Sequence, residues 1–302
     1  MRWENSTPCC MISLMKHFYR IGLFAKQSDA SVLPTLQKLI HFLKKQGAQL
    51  ILEKHTANLG ADPTLPAVEK EALGKHCDLA IVVGGDGSLL NLSRALVADQ
   101  IPVLGVNQGK LGFLVDILPD VLETELGHIL NGQYLEERRF LLEATIQRQG
   151  REIAKTRALN DAVLHSNHYA RMIDFEIYIN EQFVLRQQAD GAIVSTPTGS
   201  TAYALSAGGP ILHPALNAIS ITPLCPHTLS SRPMVIDNSN RIALIVSQKT
   251  ASATLSIDGQ IQFELQALDE ITLKKYPIDL TLIHPKNYHY FSVLREKLGW
   301  NK

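Results

Sequence analysis

The sequence predicts an N-terminal α/β open-sheet domain and a C-terminal mainly β, sandwich-like domain, with a C-terminal helix packing back on the first. Two observations carry this. From Ile21 to about Asp116, compact apolar runs alternate with stretches of helical spacing. Beyond about Arg139, helical spacing is scarce, and short runs of β-formers are separated by turn residues. A length of 302 residues holds two domains of ordinary size. They are expected at residues 15–138, with 285–302 returning to them, and at 139–284.

The elements follow in order. Ile21–Ala25 reads as the first strand, and Asp29 is placed to cap a helix. In that helix Val32, Leu33, Leu36, Ile40 and Leu43 recur at helical spacing, and Gly47 can end it. Gln49–Glu53 is the next strand. Leu79–Val83 is continuously apolar, as expected of a parallel strand covered on both faces. A helix over Ser88–Val97 and a strand over Pro102–Val106 complete the alternation. In the second domain Phe175–Ile179, Arg241–Val246, Ala253–Ile257 and Asp279–Ile283 read as strands, with a helical stretch after Ser200. Phe291–Leu298 returns to helical spacing. Residues 1–14 lack a secretory pattern and read as an arm outside the fold, with Met11 or Met15 as alternative starts.

Composition narrows the function classes. The chain is 45% hydrophobic and 19% charged, with a formal net charge of zero, so nothing favours a nucleic-acid or anionic-membrane surface. No apolar stretch has the length of a membrane span. Cys9, Cys10, Cys77 and Cys225 are too few and scattered for a disulfide framework, which points to a reducing cytoplasm.

Two segments carry chemistry. Gly84-Gly85-Asp86-Gly87-Ser88 follows the buried strand and opens a helix. Glycines at 84, 85 and 87 let the backbone turn and approach an anion, while Ser88 adds a hydroxyl at the positive end of a helix dipole. An acid beside phosphates is useful if it holds Mg²⁺ or takes a proton from an attacking hydroxyl, so Asp86 is a candidate for either role. An ordinary Asp-Gly turn is the bland alternative. The second segment, Thr196-Pro197-Thr198-Gly199-Ser200-Thr201-Ala202-Tyr203, gathers hydroxyls around a glycine. They could line a nucleotide or merely cap a helix start. Two common nucleotide devices fail. Leu90 stands at the third glycine position of a dinucleotide fingerprint, and Gly105 to Leu111 has the wrong spacing for a P-loop, leaving Lys110 without that role. His165 and His168 lack a third metal ligand, and His213, His227 and Arg232 read as structural or surface residues.

From about residue 18 onward the chain resembles the NAD kinases, which phosphorylate the adenosine ribose 2′-hydroxyl of NAD to give NADP. The resemblance rests on Gly84–Gly87, Asn107 through Leu114, Leu159-Asn160-Asp161, Asp190-Gly191 with Thr196–Tyr203, Gly208-Gly209-Pro210 and Asp258-Gly259-Gln260. The glycine segment alone is shared with diacylglycerol, sphingosine and phosphofructo-kinases, whereas its combination with the hydroxyl segment is specific. The resemblance implies Asp86 as the base, with Gly84, Gly85, Gly87 and Ser88 forming the phosphate segment. It implies Gly87, Phe113, Asn160, Asp161, Asp190, Thr198, Thr201, Ala202, Tyr203, Ser206 and Gln260 around NAD. It further implies Mg²⁺ or another divalent cation with ATP, polyphosphate as an alternative donor, and a homodimer or homotetramer in which Gln260 completes a site across a subunit boundary. A lipid or sugar kinase would explain Gly84–Gly87 but not Thr196–Tyr203. A silent NAD(P)-binding sensor would not need Asp86.

Overall fold

The computed structural model describes residues 18–26, 30–109, 112–167, 171–250 and 252–300. The readings made of residues 1–14, Asp29, Lys110 and His168 lie outside them. The first domain is built on a seven-stranded sheet in the order Ala67–Val68, Gln49–Glu53, Arg20–Ala25, Leu79–Val83, Val103–Val106, Leu280–Pro285, Tyr134–Arg139. All neighbours run parallel except the last pair. Every residue of Leu79–Val83 is buried, because helices pack on both faces of the sheet. The helix Leu33–Lys45 starts with Pro34 in its first turn, where a missing N–H costs nothing, and buries Leu36, Leu39, Ile40 and Leu43 along one face. The backbone then reverses at Gly47, whose φ of 79° suits glycine.

One strand lies in a different sheet from the one expected. Asp279–Ile283 was read with the second domain, yet Leu280–Pro285 is the sixth strand of the first sheet. It runs parallel to Val103–Val106, with Leu282 opposite Val103, and antiparallel to Tyr134–Arg139. Its buried Leu280, Leu282 and Ile283 fit a strand covered on both faces. The chain therefore leaves this sheet at Arg139 and re-enters it at Leu280.

Between those points lie two six-stranded antiparallel sheets. One has the order Gln182–Ala189, Ile173–Ile179, Ile242–Val246, Glu270–Lys275, Leu142–Arg148, Arg151–Ala158. The other has the order Met234–Asp237, Ala218–Leu224, Gly191–Ser195, Asp161–Ser166, Ala253–Ile257, Ile261–Leu265. Their facing side chains, among them Phe175, Leu244, Leu164 and Leu255, form a single core. In the first of these sheets Ile242–Val246 alternates between buried and half-buried residues. In the second, Gly191–Ser195 and Ala253–Ile257 are buried throughout. Its outer face is covered in turn, Ala204 packing on Val163 and Ile193. The candidate site is built on that face.

The helical stretch after Ser200 is short: a 3₁₀ turn over Gly199–Thr201 and one α-turn over Tyr203–Ser206. The final helix, Tyr290–Leu298, touches both domains rather than the first alone. Lys297 Nζ lies 6.0 Å from the Phe113 ring, and the rings of Tyr290 and Phe291 lie 5.0 and 5.6 Å from that of His213.

Candidate active site

The strand Leu79–Val83 delivers the chain to Gly84 and Gly85, and Asp86 is the first residue of the helix Asp86–Leu96. Asp86 thus stands on a helix rather than in a loop. Its Oδ2 accepts a hydrogen bond from the amide of Phe113 (2.9 Å), and its Oδ1 accepts from the amides of Leu114 (3.1 Å) and Val115 (3.2 Å). Gly112 permits this grip, since a Cβ there would lie 2.1 Å from Asp86 Oδ1. Gly84, Gly85 and Gly87 keep negative φ, so they supply room rather than a reversed turn. A Cβ on Gly84 would meet Ser88 Oγ at 2.6 Å. A cavity of about 480 Å³ opens beside this segment, lined by Phe24, Lys26, Gly85, Gly87, Ser88, Asn91 and Gln260.

A second carboxylate grips backbone in the same way. Asp258 and Gly259, with φ of 50° and 65°, turn the hairpin between Ala253–Ile257 and Ile261–Leu265. Asp258 Oδ1 accepts from the amides of Asn160 (2.8 Å) and Asp161 (3.1 Å), and Oδ2 accepts from that of Leu159 (3.1 Å). The Arg94 guanidinium also donates to Asp258 Oδ2 at 2.6 Å, with the carboxylate wholly buried. Arg94 donates further to Gln260 Oε1 (2.5 Å), and Gln260 Nε2 donates to the Gly87 carbonyl (2.7 Å). Gln260 is therefore held by its own chain, tying the hairpin to the helix that begins with Asp86.

The hydroxyl segment packs on the turn that Asp258 holds. The Thr196 amide donates to the Asn160 carbonyl (2.9 Å), and Thr196 Oγ1 to that of Leu159 (2.6 Å). Gly199 is required here, because a Cβ would lie 2.2 Å from the Asn160 carbonyl oxygen. Ser200 Oγ donates to the Pro197 carbonyl and accepts from the Leu212 amide, and Thr201 Oγ1 donates to the Thr198 carbonyl. Thr198 Oγ1 accepts from Arg139 at 3.2 Å. These hydroxyls bond within the protein, Ser200 and Thr201 to carbonyls of their own loop, and neither short helix carries a side-chain N-cap.

The cleft above them measures about 830 Å³. Of the residues read from the sequence it brings together Asn160, Asp161, Asp190, Ala202 and Tyr203. Gly87 and Gln260 line the smaller cavity instead, and Asp86, Phe113, Thr198, Thr201 and Ser206 line neither. Sequence reasoning missed His165 and Arg171 in the cleft wall and Arg94 behind it, and gave Asp258 a place in a motif without a role in the site. His165 had read as part of a surface turn. The Asp-Gly pair at 258 and 259 was the available signal for a left-handed turn. Burial, and then the neighbouring Asp258 charge, push the Asp161 carboxyl up to about 7. Asn160 Oδ1 is buried with no hydrogen-bond partner among the described residues. A hydrogen bond to Asp190, with its charge, holds the exposed Cys225 thiol above its ordinary value. Among the described residues no group of three His, Cys, Asp or Glu side chains converges to hold a metal, and no helix is long and apolar enough to cross a membrane.

Comparison with known proteins gives a consistent picture. The family models for the ATP-NAD kinase N-terminal and C-terminal domains match residues 21–134 and 159–284. The chain is 50% identical over 287 residues to the curated NAD kinase of Pseudomonas savastanoi pv. phaseolicola, covering 95% of this chain and 97% of that one. It is 48% identical over 288 residues to that of Hahella chejuensis, with the same coverage. Among solved structures, yeast NADH kinase complexed with NADH superposes with a TM-score of 0.86 at 27% identity, covering 95% of this chain and 89% of that one. An NAD kinase from Archaeoglobus fulgidus in complex with ATP gives 0.72 at 25% identity, covering 93% and 97%.

Proposed function

This chain belongs to the NAD kinase family, and we infer that it catalyses ATP-dependent phosphorylation of NAD to NADP. One observation in the structure carries the assignment of parts. The hairpin turn at Asp258–Gln260 stands between two cavities: Asp258 and Gly259 line the larger, and Gln260 lines the smaller beside Gly84–Ser88. The larger offers amide, carboxyl and aromatic groups to a dinucleotide. The smaller offers Lys26, Ser88 and a helix start to the donor's phosphates.

In this reading Asn160, Asp161, Asp190, Ala202 and Tyr203 hold NAD, and Asn160 Oδ1 receives the hydrogen bond it lacks among the described residues. Asp86 Oδ1 is committed to two amides, while Oδ2 takes one and keeps a lone pair for the proton of the ribose 2′-hydroxyl. Phosphoryl transfer is accelerated mainly by positioning and charge neutralisation. The divalent cation enters with ATP, bridging its phosphates as part of that substrate. Phe113, Thr198, Thr201, Ser206 and Gln260 shape the walls rather than the contact surface. We also propose a homodimer or homotetramer, for which exposed Ile153 and Phe183 on the sandwich offer apolar surface. A reducing cytoplasm fits the two described cysteines, Cys77 and Cys225, both free.

The test is product formation. Purified protein with NAD and Mg-ATP should yield NADP, detected with an NADP-specific dehydrogenase. Folded protein giving no NADP would overturn the reading. Size-exclusion chromatography with light scattering gives the subunit number; a monomer that turns over would remove the oligomer.

A further inference from the structure

A buried ionic row lies behind the site. His284 is 1% exposed on the strand Leu280–Pro285, whose other residues are mostly buried and apolar. Its Nδ1 lies 2.8 Å from Asp116 Oδ2, and its Nε2 lies 3.1 Å from Glu137 Oε2. Nδ1 is within hydrogen-bonding geometry of Asp116, while Nε2 lies within ion-pair distance of Glu137 without a hydrogen bond, and a carboxylate near each nitrogen suits the imidazolium. Burial lowers its pKa, yet the two carboxylates outweigh burial and hold it above the ordinary value. The Tyr288 ring stacks on it at 3.9 Å. Glu137 Oε2 also accepts from Arg139 at 2.6 Å, and Arg139 donates onward to Thr198 Oγ1 at 3.2 Å.

The ends of this row matter more than its middle. Asp116 directly follows Phe113–Val115, whose amides grip Asp86. Thr198 belongs to the segment that packs on Leu159 and Asn160 beneath the cleft. We infer that His284 is a positioning residue: pinned between Asp116 and Glu137, it fixes the segment that orients Asp86 relative to the Thr198 loop that supports the acceptor cleft.

Stability is a poor reason for such a row, because replacing buried ion pairs by packed apolar groups is often neutral or stabilising. Placement is a better one. A misplacement of about 1 Å can lower an enzyme's rate by about a hundredfold. The inference rests on the reading of Asp86 and the cleft given above.

The test is steady-state kinetics and thermal melting of wild type, His284→Gln, Thr198→Val and the double variant. His284→Gln should lower kcat per folded molecule about tenfold or more, with KM for NAD changed less than about threefold. The double variant should lose no more than the worse single variant, since both break one row. Unchanged kcat per folded molecule, or losses that multiply, would overturn the inference. If His284→Gln does not fold, Glu137→Gln removes one partner at nearly constant shape and is judged by the same results. Wild type without NADP formation would remove the kinase reading and this inference with it. Wild-type turnover with unaffected variants would remove only the row.

Discussion

Asp86 and Asp258 do the same mechanical work in different electrical surroundings. Each carboxylate accepts three backbone amides, from 113–115 in one case and 159–161 in the other. Asp258 is wholly buried and neutralised by Arg94 at 2.6 Å. Asp86 is partly exposed on the first turn of its helix, and among the described residues no cation forms an ion pair with it. A buried charge persists only when paired, so Asp258 is bound into the frame. In the proposed reaction Asp86 is the member that meets the hydroxyl proton. The amides fix where each carboxylate points; the ion pair with Arg94 is what sets Asp258 apart.

The largest expected effect breaks the reactive member. Asp86→Asn should lower kcat by about a thousandfold or more, within the usual reach of general-base catalysis, while NAD affinity measured by titration calorimetry stays within a few fold. Next comes the structural member. Asp258→Asn leaves the Arg94 guanidinium buried without its counter-charge, which should cost about 3–5 kcal/mol in a denaturant melt, with activity per folded molecule much less affected.

The third prediction uses the neighbour that Asp258 perturbs. Asp161 has an ordinary pKa of 3.8 and is pushed up to about 7 in the fold. Its folded form holds a proton that the unfolded chain releases between those values. Stability is therefore full below the lower pKa, falls by up to about 1.4 kcal/mol per pH unit as pH rises toward 7, and levels off above it. Asp161→Asn should flatten that decline in melts taken across the range; equal slopes in both proteins would contradict it. The smallest effect sharpens the grip on Asp86. Gly112→Ala places a Cβ where Asp86 Oδ1 sits, turning the carboxylate off its amides. About a tenfold loss of kcat is expected, with a lowered melting temperature from the amides left without their acceptor.

The sequence made local features legible and left long-range ones dark. Gln49–Glu53, Leu79–Val83 and Ala253–Ile257 were readable to the residue, because a strand's burial is written in its own composition. Which sheet a strand joins is not so written, and Leu280–Pro285 joined the first sheet although its neighbours in sequence belong to the second domain. The site divides similarly. Asn160, Asp161, Asp190, Ala202 and Tyr203, far apart in sequence, line one cleft. Ser200 and Thr201 turn toward their own loop and Thr198 toward Arg139, since residue type does not say which way a hydroxyl faces. Asp258 was visible as part of a motif, but its role was not, because its partners stand 97 to 164 positions away.

The most direct test sets Asp86→Asn and Asp258→Asn side by side, measuring kcat per folded molecule and unfolding free energy on the same preparations. The expected result is a crossing: Asp86→Asn loses turnover and only about one hydrogen bond's worth of stability, about 1 kcal/mol, while Asp258→Asn loses more stability and keeps most of its turnover. Parallel losses in the two variants, or a near-normal rate in Asp86→Asn, would contradict the division of labour between the two carboxylates.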